Sequence, residues 1–343
     1  MSARDDSPAA PVEVIAPAKL NLALLVGPLR PDSYHEIASL MVPVTLADRV
    51  LVEHTPGAGL DVVCDVAPGE QNLAARLVRE LEARLERAFE VRVTIEKHVP
   101  HGGGLGGGSS DAAATLVALE RLFALDLSAR LRHDVAAAVG SDVPFFLWPG
   151  AQLVMGRGLL LKEVALPDLH VVIAVPELAL STAAVYRWRD EDARTTLKAF
   201  APRARAFSAR VQAARTLQDV AALVHNDLEA SVTARRPAVA ALRDRLSAAG
   251  ALAAAMTGSG AAVFGLFAGE EAASRARAAL APSRAWCVSD LQPAAPPAAR
   301  ADHPRPPEPP RRGSAVREDK ESRRILIFPP ASEPAEGRSR PDS

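Results

Sequence analysis

The sequence predicts an α+β chain in two domains, on three observations. Its first stretch is rich in strands, a dense glycine loop stands between a strand and a helix, and its second half mixes helices with short apolar strands. A length of 343 residues suits about two domains, and a hydrophobic share of 48% is that of a globular chain able to bury a sizeable core.

Residues 1–11 are polar and read as a disordered N-terminus. Residues 12–15 and 22–26 read as strands, followed by 49–53 and 60–64. Over residues 71–89, Leu73, Leu77, Leu81 and Leu85 recur every four positions with Arg and Glu between them. That spacing predicts one amphipathic helix with a solvated charged face. Residues 91–97 alternate as a strand does, and helices are expected at 112–123 and 129–139. A strand follows at 152–155. The first domain is placed at 12–166 and the second at 167–291. In the second, strands are expected at 170–175, 261–267 and 285–289, and helices at 217–224, 238–248 and 271–280. From residue 292 on, eight prolines by Pro310 rule out regular structure, so 292–343 reads as a disordered tail rich in Pro and Arg. Its one apolar island, Ile325-Leu-Ile-Phe328, is taken as an accident of composition.

Composition narrows the function. A formal net charge of −1 gives no global field toward nucleic acid or a membrane surface, so neither is expected as a partner. Cys64 and Cys287 each lie in an apolar stretch and read as two buried free thiols, with no disulfide framework and no cysteine metal site. The N-terminus lacks an apolar signal core and no uninterrupted apolar run could span a bilayer, which predicts a cytoplasmic protein.

Residues 100–110, Pro-His-Gly-Gly-Gly-Leu-Gly-Gly-Gly-Ser-Ser, carry the strongest chemical signal. Glycine lets backbone approach a ligand closely and adopt positive φ. Convergent N–H groups and the positive end of the helix that follows, expected to begin near Ser109, favour an anion, so a polyphosphate is the expected ligand. The P-loop pattern fails, because Gly108 stands where its lysine should be. Gly102, Gly104 and Gly107 match the dinucleotide fingerprint formally, but Asp126, the acidic residue at the right distance, follows a helix instead of a strand. A flexible linker is at odds with the ordered elements expected on both sides.

Two further residues are ambiguous alone. Lys19 sits in the apolar segment Pro17-Ala-Lys-Leu-Asn21, where a lysine usually snorkels. Asp142, in Gly140-Ser-Asp-Val-Pro-Phe-Phe146, could be a turn residue before proline.

Together with the glycine loop, these segments form an ordered series. Pro17-Ala-Lys-Leu-Asn-Leu22 is followed by Asp32-Ser-Tyr-His-Glu36, the loop, and Gly140 to Phe146. Then come Ser181-Thr-Ala-Ala-Val-Tyr186, Asn226-Asp-Leu-Glu229 and Met256-Thr-Gly-Ser-Gly-Ala-Ala-Val-Phe264. Over residues 12–290 the series resembles the 4-diphosphocytidyl-2-C-methyl-D-erythritol kinases, a family of the GHMP kinase superfamily.

The resemblance implies a two-domain GHMP kinase fold: an ATP-binding N-terminal domain like domain 2 of ribosomal protein S5, a ferredoxin-like C-terminal domain, and the active site in the cleft between them. It implies ATP-dependent phosphorylation of the 2-hydroxyl of 4-diphosphocytidyl-2-C-methyl-D-erythritol, giving the 2-phosphate and ADP, in the non-mevalonate route to isoprenoid precursors. It makes Asp142 the general base and Lys19 its partner. Lys97 would border the adenine pocket, with Pro100, His101, Gly102, Gly103, Gly104, Leu105, Gly106, Gly107, Gly108, Ser109 and Ser110 binding ATP. Tyr34 and Tyr186 would hold the cytosine between rings, and His35 would hydrogen-bond it. Asn21 and Thr182 would contact the polar end of the substrate, with Gly258, Ser259 and Gly260 facing its phosphates. Mg2+ is expected, liganded mainly by ATP; its protein ligands and the choice of monomer or homodimer stay open.

Two other functions are compatible with parts of the series. Another kinase of the superfamily, acting on homoserine or a mevalonate derivative, would have no base for Tyr34 and His35 to bind. A non-catalytic nucleotide sensor would not need both Lys19 and Asp142. Two positions depart from the family pattern: Ser33 replaces the usual glycine of an Asp-Gly-Tyr-His turn, and His101 a common methionine. Serine at 33 is tolerated unless φ there is positive.

Overall fold

The computed structural model describes residues 10–291; the N-terminal residues 1–9 and the tail 292–343, with its island at 325–328, lie outside the described residues. Among the described residues eleven strands form two sheets: β1 (Val12–Leu29), β2 (His35–His54), β3 (Leu60–Val63), β4 (Val91–Glu96), β5 (Gln152–Gly156), β6 (Leu160–Glu163), β7 (His170–Val175), β8 (His225–Asn226), β9 (Ala253–Met256), β10 (Val263–Phe267) and β11 (Arg284–Ser289). Among the described residues nine α-helices accompany them: α1 (Leu73–Leu85), α2 (Gly107–Leu122), α3 (Ala129–Val139), α4 (Thr182–Asp192), α5 (Leu197–Ala213), α6 (Leu217–Ala221), α7 (Glu229–Arg235), α8 (Pro237–Ala248) and α9 (Glu270–Ala279).

The first sheet runs β3-β4-β2-β1-β8, with β5 also on β2 and β6 on β5. Its spine is a long antiparallel pair, β1 on β2, in which the register shifts between Pro17 and Ala18 and again between Asn21 and Ala23. Two separate strands were expected where β1 runs unbroken. Proline cannot donate to a ladder, but a register shift lets the strand carry Pro17 and continue. Likewise residues 49–53 are only the end of β2. The second sheet, β11-β7-β10-β9, is wholly antiparallel, and with α8 and α9 it gives the β-α-β-β-α-β order of a ferredoxin-like unit.

Three layers of apolar contact hold these elements. Leu77, Leu81, Leu116 and Leu119 of α1 and α2 pack on Val50, Val52, Val91 and Val93 of the first sheet. Along β7, period-2 alternation sends Val171 and Ile173 to one face and Val172 and Ala174 to the other. The first pair joins Leu20, Leu40, Phe200 and Phe264 in a core shared by both sheets, and the second meets Leu242 and Leu246 of α8. Each such fully buried side chain contributes about 1.5–3 kcal/mol of transfer free energy.

Expected helices 129–139, 238–248 and 271–280 coincide with α3, α8 and α9 to within a residue, and expected helix 71–89 is shortened to α1. There Asn72 caps the start by accepting from Ala74 N, and Glu86, in the left-handed region, ends it. Expected helix 217–224 stops at Ala221, and expected strand 261–267 starts at Val263. One thiol expectation fails. Cys64 is buried, but Cys287 is exposed, because β11 is the edge strand of its sheet and that position faces out. No helix among the described residues is long and apolar enough to cross a membrane.

Candidate active site

Helix α2 begins at Gly107, two residues before the expected start, because Gly106 takes φ of 73° and serves as its N-cap. Gly102 and Gly104 also lie in the left-handed region, at 74° and 76°. A Cβ on Gly104 would fall 2.7 Å from Thr257 O, so only glycine lets this loop meet the loop at 257–260. The two loops are further tied by Ala262 N donating to Gly103 O at 3.2 Å. On the other side, Lys19 N donates to Leu105 O at 2.9 Å, fastening the glycine loop to β1. The glycine loop is therefore a wedged, preformed cradle. Leu105 and Pro100 are buried beneath it, His101 is exposed, and Gly104, Gly106 and Ser109 face a cavity of about 990 Å³.

Lys19 is only 4% exposed, and its ammonium is held by two acceptors: Asn21 Oδ1 at 2.6 Å and Asp142 Oδ2 at 3.5 Å. Asn21 is oriented in turn, its Nδ2 donating to Ser39 Oγ at 2.8 Å and its N–H to Thr257 Oγ1 at 2.8 Å. Ser39 then donates to Ala23 O at 2.6 Å. This chain fixes the amide so that its oxygen points at the ammonium. Asp142 comes from the turn after α3, where Val143 N donates to Gly140 O at 3.2 Å. Lys19, Asn21 and Asp142 all line the cavity.

The far end of the cavity is aromatic. Tyr34 and His35 enter at the start of β2 from a tight turn in which Arg30 N donates to Tyr34 O at 2.7 Å. Ser33, in that turn, has φ of 64°, so the serine occupies the left-handed conformation that glycine would take without strain. Arg157 lies over the Tyr34 ring, 5.1 Å from its centroid. Across the cavity, α4 presents Thr182, Tyr186 and Asp190 at four-residue spacing on one face. Tyr186 meets His35 with ring centroids 4.9 Å apart, and burial pushes its hydroxyl well above the usual tyrosine range. Thr182 Oγ1 lies 2.9 Å from Ser259 Oγ, closing α4 onto the second glycine loop.

That second loop is held from behind by Asn226, whose Nδ2 donates to Met256 O at 2.7 Å and Gly258 O at 2.8 Å while Oδ1 accepts from Leu228 N. Gly258 and Ser259 line the cavity, whereas Gly260 turns back under Met256, whose sulfur a Cβ there would meet at 2.5 Å.

Lys97 does not line the cavity. Its ammonium is 2.5 Å from Asp48 Oδ2 and 2.7 Å from Asp111 Oδ2, behind Gly107. Asp48 also accepts from the N–H groups of His98 and Val99. The group pins β2, the end of β4 and α2 to one another beside the loop. Opposite charge raises Lys97 despite its burial, and burial, aided by the Asp48 carboxylate, pushes Asp111 up to about 7 against the pull of Lys97. Gly107 abuts this group, and Gly108 faces outward toward Leu73. Ser110 is buried, and its Oγ has no hydrogen-bond partner.

Thus the structure gathers Lys19, Asn21, Tyr34, His35, Gly104, Gly106, Ser109, Asp142, Thr182, Tyr186, Gly258 and Ser259 around one cavity. Sequence reasoning missed Ser39, Thr257, Asp48, Arg157 and Asp190. Of these, Asp190 carried a signal in its four-residue spacing from Thr182 and Tyr186, and Thr257 in the Thr-Gly-Ser-Gly series; Ser39, Asp48 and Arg157 act through contacts distant in sequence.

Over most of its length the chain resembles known proteins. Residues 72–150 match the family model "GHMP kinases N terminal domain", and residues 208–284 match "GHMP kinases C terminal". The chain is 43% identical over 274 residues to 4-diphosphocytidyl-2-C-methyl-D-erythritol kinase of Anaeromyxobacter dehalogenans, covering 78% of this chain and 84% of that protein. It is 37% identical to the enzyme of the same name from Syntrophotalea carbinolica, over 81% of this chain and 98% of the relative. Among solved structures, a crystal structure of 4-(cytidine 5'-diphospho)-2C-methyl-D-erythritol kinase superposes with a TM-score of 0.67 at 36% identity, covering 82% of this chain and 100% of the other. A homoserine kinase from Cytophaga hutchinsonii, at 17% identity and a TM-score of 0.66 over 85% of this chain and 97% of its own, shares the fold.

Proposed function

The chain belongs to the 4-diphosphocytidyl-2-C-methyl-D-erythritol kinase family, and from that premise we propose which of its side chains carry the reaction. The reaction transfers the γ-phosphoryl group of ATP to the 2-hydroxyl of 4-diphosphocytidyl-2-C-methyl-D-erythritol, giving the 2-phosphate and ADP on the non-mevalonate route to isoprenoid precursors.

Asp142 accepts the proton of the attacking hydroxyl. The observation that carries this assignment is its 3.5 Å pairing with the buried Lys19 at the wall of the cavity, beside the glycine loop. Phosphoryl transfer asks the protein mainly to position reactants and offset charge. An ammonium has three donors, and Asn21 and Asp142 occupy two directions. The third is available to an oxygen of the transferring group, where the ammonium stabilises the charge it carries. The loop at 102–106 and the first turn of α2 hold the triphosphate through backbone N–H groups and the helix dipole. Tyr34 and Tyr186 receive the pyrimidine, a contact worth about 1–3 kcal/mol per base where rings stack. Thr182, Ser259 and Asn21 orient the polar part of the acceptor.

Magnesium neutralises charge on the triphosphate in such transfers. Among the described residues no group of three or more His, Cys, Asp or Glu stands ready to hold a metal ion. A magnesium ion would take most of its ligands from the triphosphate, and the hydroxyls at the start of α2 that would stand beside it are Ser109, at the cavity, and Ser110, buried and unpartnered.

A magnesium-dependent ATP turnover assay with the cytidine substrate, run beside homoserine and mevalonate and read by phosphorus NMR, tests this function. A new phosphomonoester signal with the cytidine substrate alone is the expected outcome. Turnover only with another alcohol would overturn it.

A further inference from the structure

His35 Nε2 lies 2.9 Å from Asp190 Oδ2. The other oxygen of Asp190 accepts from Arg189 Nη1 at 3.2 Å. That guanidinium is only 4% exposed and is itself fastened, by Nη2 to Val26 O at 2.6 Å and by Nη1 to Gly27 O at 3.4 Å. Asp190 is thus gripped from behind by a cation anchored to β1, and its free edge meets the imidazole.

A carboxylate offers acceptors only, so the ring nitrogen facing it carries the hydrogen. The opposite nitrogen, Nδ1, has no hydrogen-bond partner among the described residues, and His35 lines the cavity with Tyr34 and Tyr186. In the neutral ring that nitrogen is then a lone-pair acceptor. Cytosine presents an exocyclic amine, a donor, where uracil presents a carbonyl oxygen. An acceptor at Nδ1 pairs with the first and repels the second.

We infer that Asp190 is a specificity-determining positioning residue: by holding His35 in its Nε2–H form it leaves Nδ1 as the acceptor that selects a cytidine over a uridine diphosphate substrate. The inference rests on the function proposed above, and it adds a positioning residue at the cavity wall behind His35. Its action is exerted wholly through His35.

The test compares the intact enzyme with Asp190→Asn, using the cytidine substrate and its uridine counterpart, and reads the His35 tautomer by nitrogen-15 NMR. In the unsubstituted enzyme the ring should show a protonated Nε2 and a bare Nδ1, a result that needs no variant to fold. An amide at 190 can donate or accept, so both tautomers become available. KM for the cytidine substrate should then rise about tenfold, as loss of one buried hydrogen bond implies, while kcat and the KM for ATP stay near normal. The preference for cytidine over uridine should narrow with it. A protonated Nδ1 in the unsubstituted enzyme, an unchanged preference in the variant, or equal losses toward ATP and cytidine would each overturn the inference. No turnover of the cytidine substrate by the unsubstituted enzyme would instead overturn the proposed function, and the inference with it.

Discussion

Lys19 Nζ stands 3.5 Å from Asp142 Oδ2, joining a side chain 5% exposed to one 41% exposed. The buried partner is fixed and the exposed one faces the cavity, the arrangement a proton acceptor requires. Asp142→Asn keeps the shape and removes the proposed base, so kcat should fall by about 10²- to 10⁴-fold while ATP binding is retained. Steady-state kinetics beside nucleotide titration check it; near-normal turnover would remove Asp142 from the mechanism.

Gly104 and Thr257 approach closely where the two glycine loops meet. Gly104→Ala would place a methyl group 2.7 Å from Thr257 O at a φ of 76°. The left-handed conformation alone costs a non-glycine residue about 1–2 kcal/mol, and the contact adds to that. Denaturant unfolding should show a loss of more than about 2 kcal/mol, and KM for ATP should rise. A variant as stable as the parent would mean the loops are free to separate.

Asp111 gives stability a pH dependence with a definite sign. Its carboxyl is pushed up to about 7, chiefly by burial, so the folded chain binds this proton more readily than the unfolded chain. Its contribution is complete below about pH 4, the ordinary value, and is lost as pH rises through 7. Asp111→Asn is neutral throughout and leaves Lys97 paired with Asp48. Denaturant midpoints between pH 4 and 8 should therefore decline less in the variant; parallel curves would refute the assignment.

Ser33 is the departure from the family turn with a structural consequence. At φ of 64° it bears a strain of about 1–2 kcal/mol, against roughly 0.5–1 kcal/mol for the extra freedom of glycine when unfolded. Ser33→Gly should stabilise the protein by about 0.5–1 kcal/mol in thermal or denaturant unfolding. A loss of stability would show that the serine hydroxyl contributes more than its backbone costs.

How much of this was legible depended on the range of the interactions. Helices α3, α8 and α9 declared themselves through local periodicity, and the glycine loop through composition. Strand β2 did not, because its first half, Leu40 to Val44, is buried on both faces and shows no alternation. Helix α4 lacks a clean apolar stripe, burying only Val185 and Arg189, and α5 carries Pro202 within the helix, which argues against a helix when read from sequence. The ordered motifs point to Lys19, Asp142, Tyr34, His35 and Tyr186, which the structure places around one cavity. They do not point to Asp48 and Ser39, since each is defined by what it meets across the sheet: Asp48 by Lys97, 49 positions away, and Ser39 by Asn21. Lys97 was placed near the nucleotide, but its ion pairs with two carboxylates needed coordinates to be seen.

The two-residue strand β8 is the outer neighbour of β1, pairing in parallel with Ala23 and Leu24, and Asp227 then accepts from Val26 N at 2.8 Å. Strand β1 also carries Lys19 and Asn21. During synthesis the ribosome makes the glycine loop and Asp142 early, yet the segment that covers this edge emerges only some two hundred residues after the strand it completes. Until then a row of unpaired main-chain groups stays open to other strands, the feature that invites association between chains. The strand that carries Lys19 and Asn21 is thus among the first parts of the protein to be made and among the last to be finished.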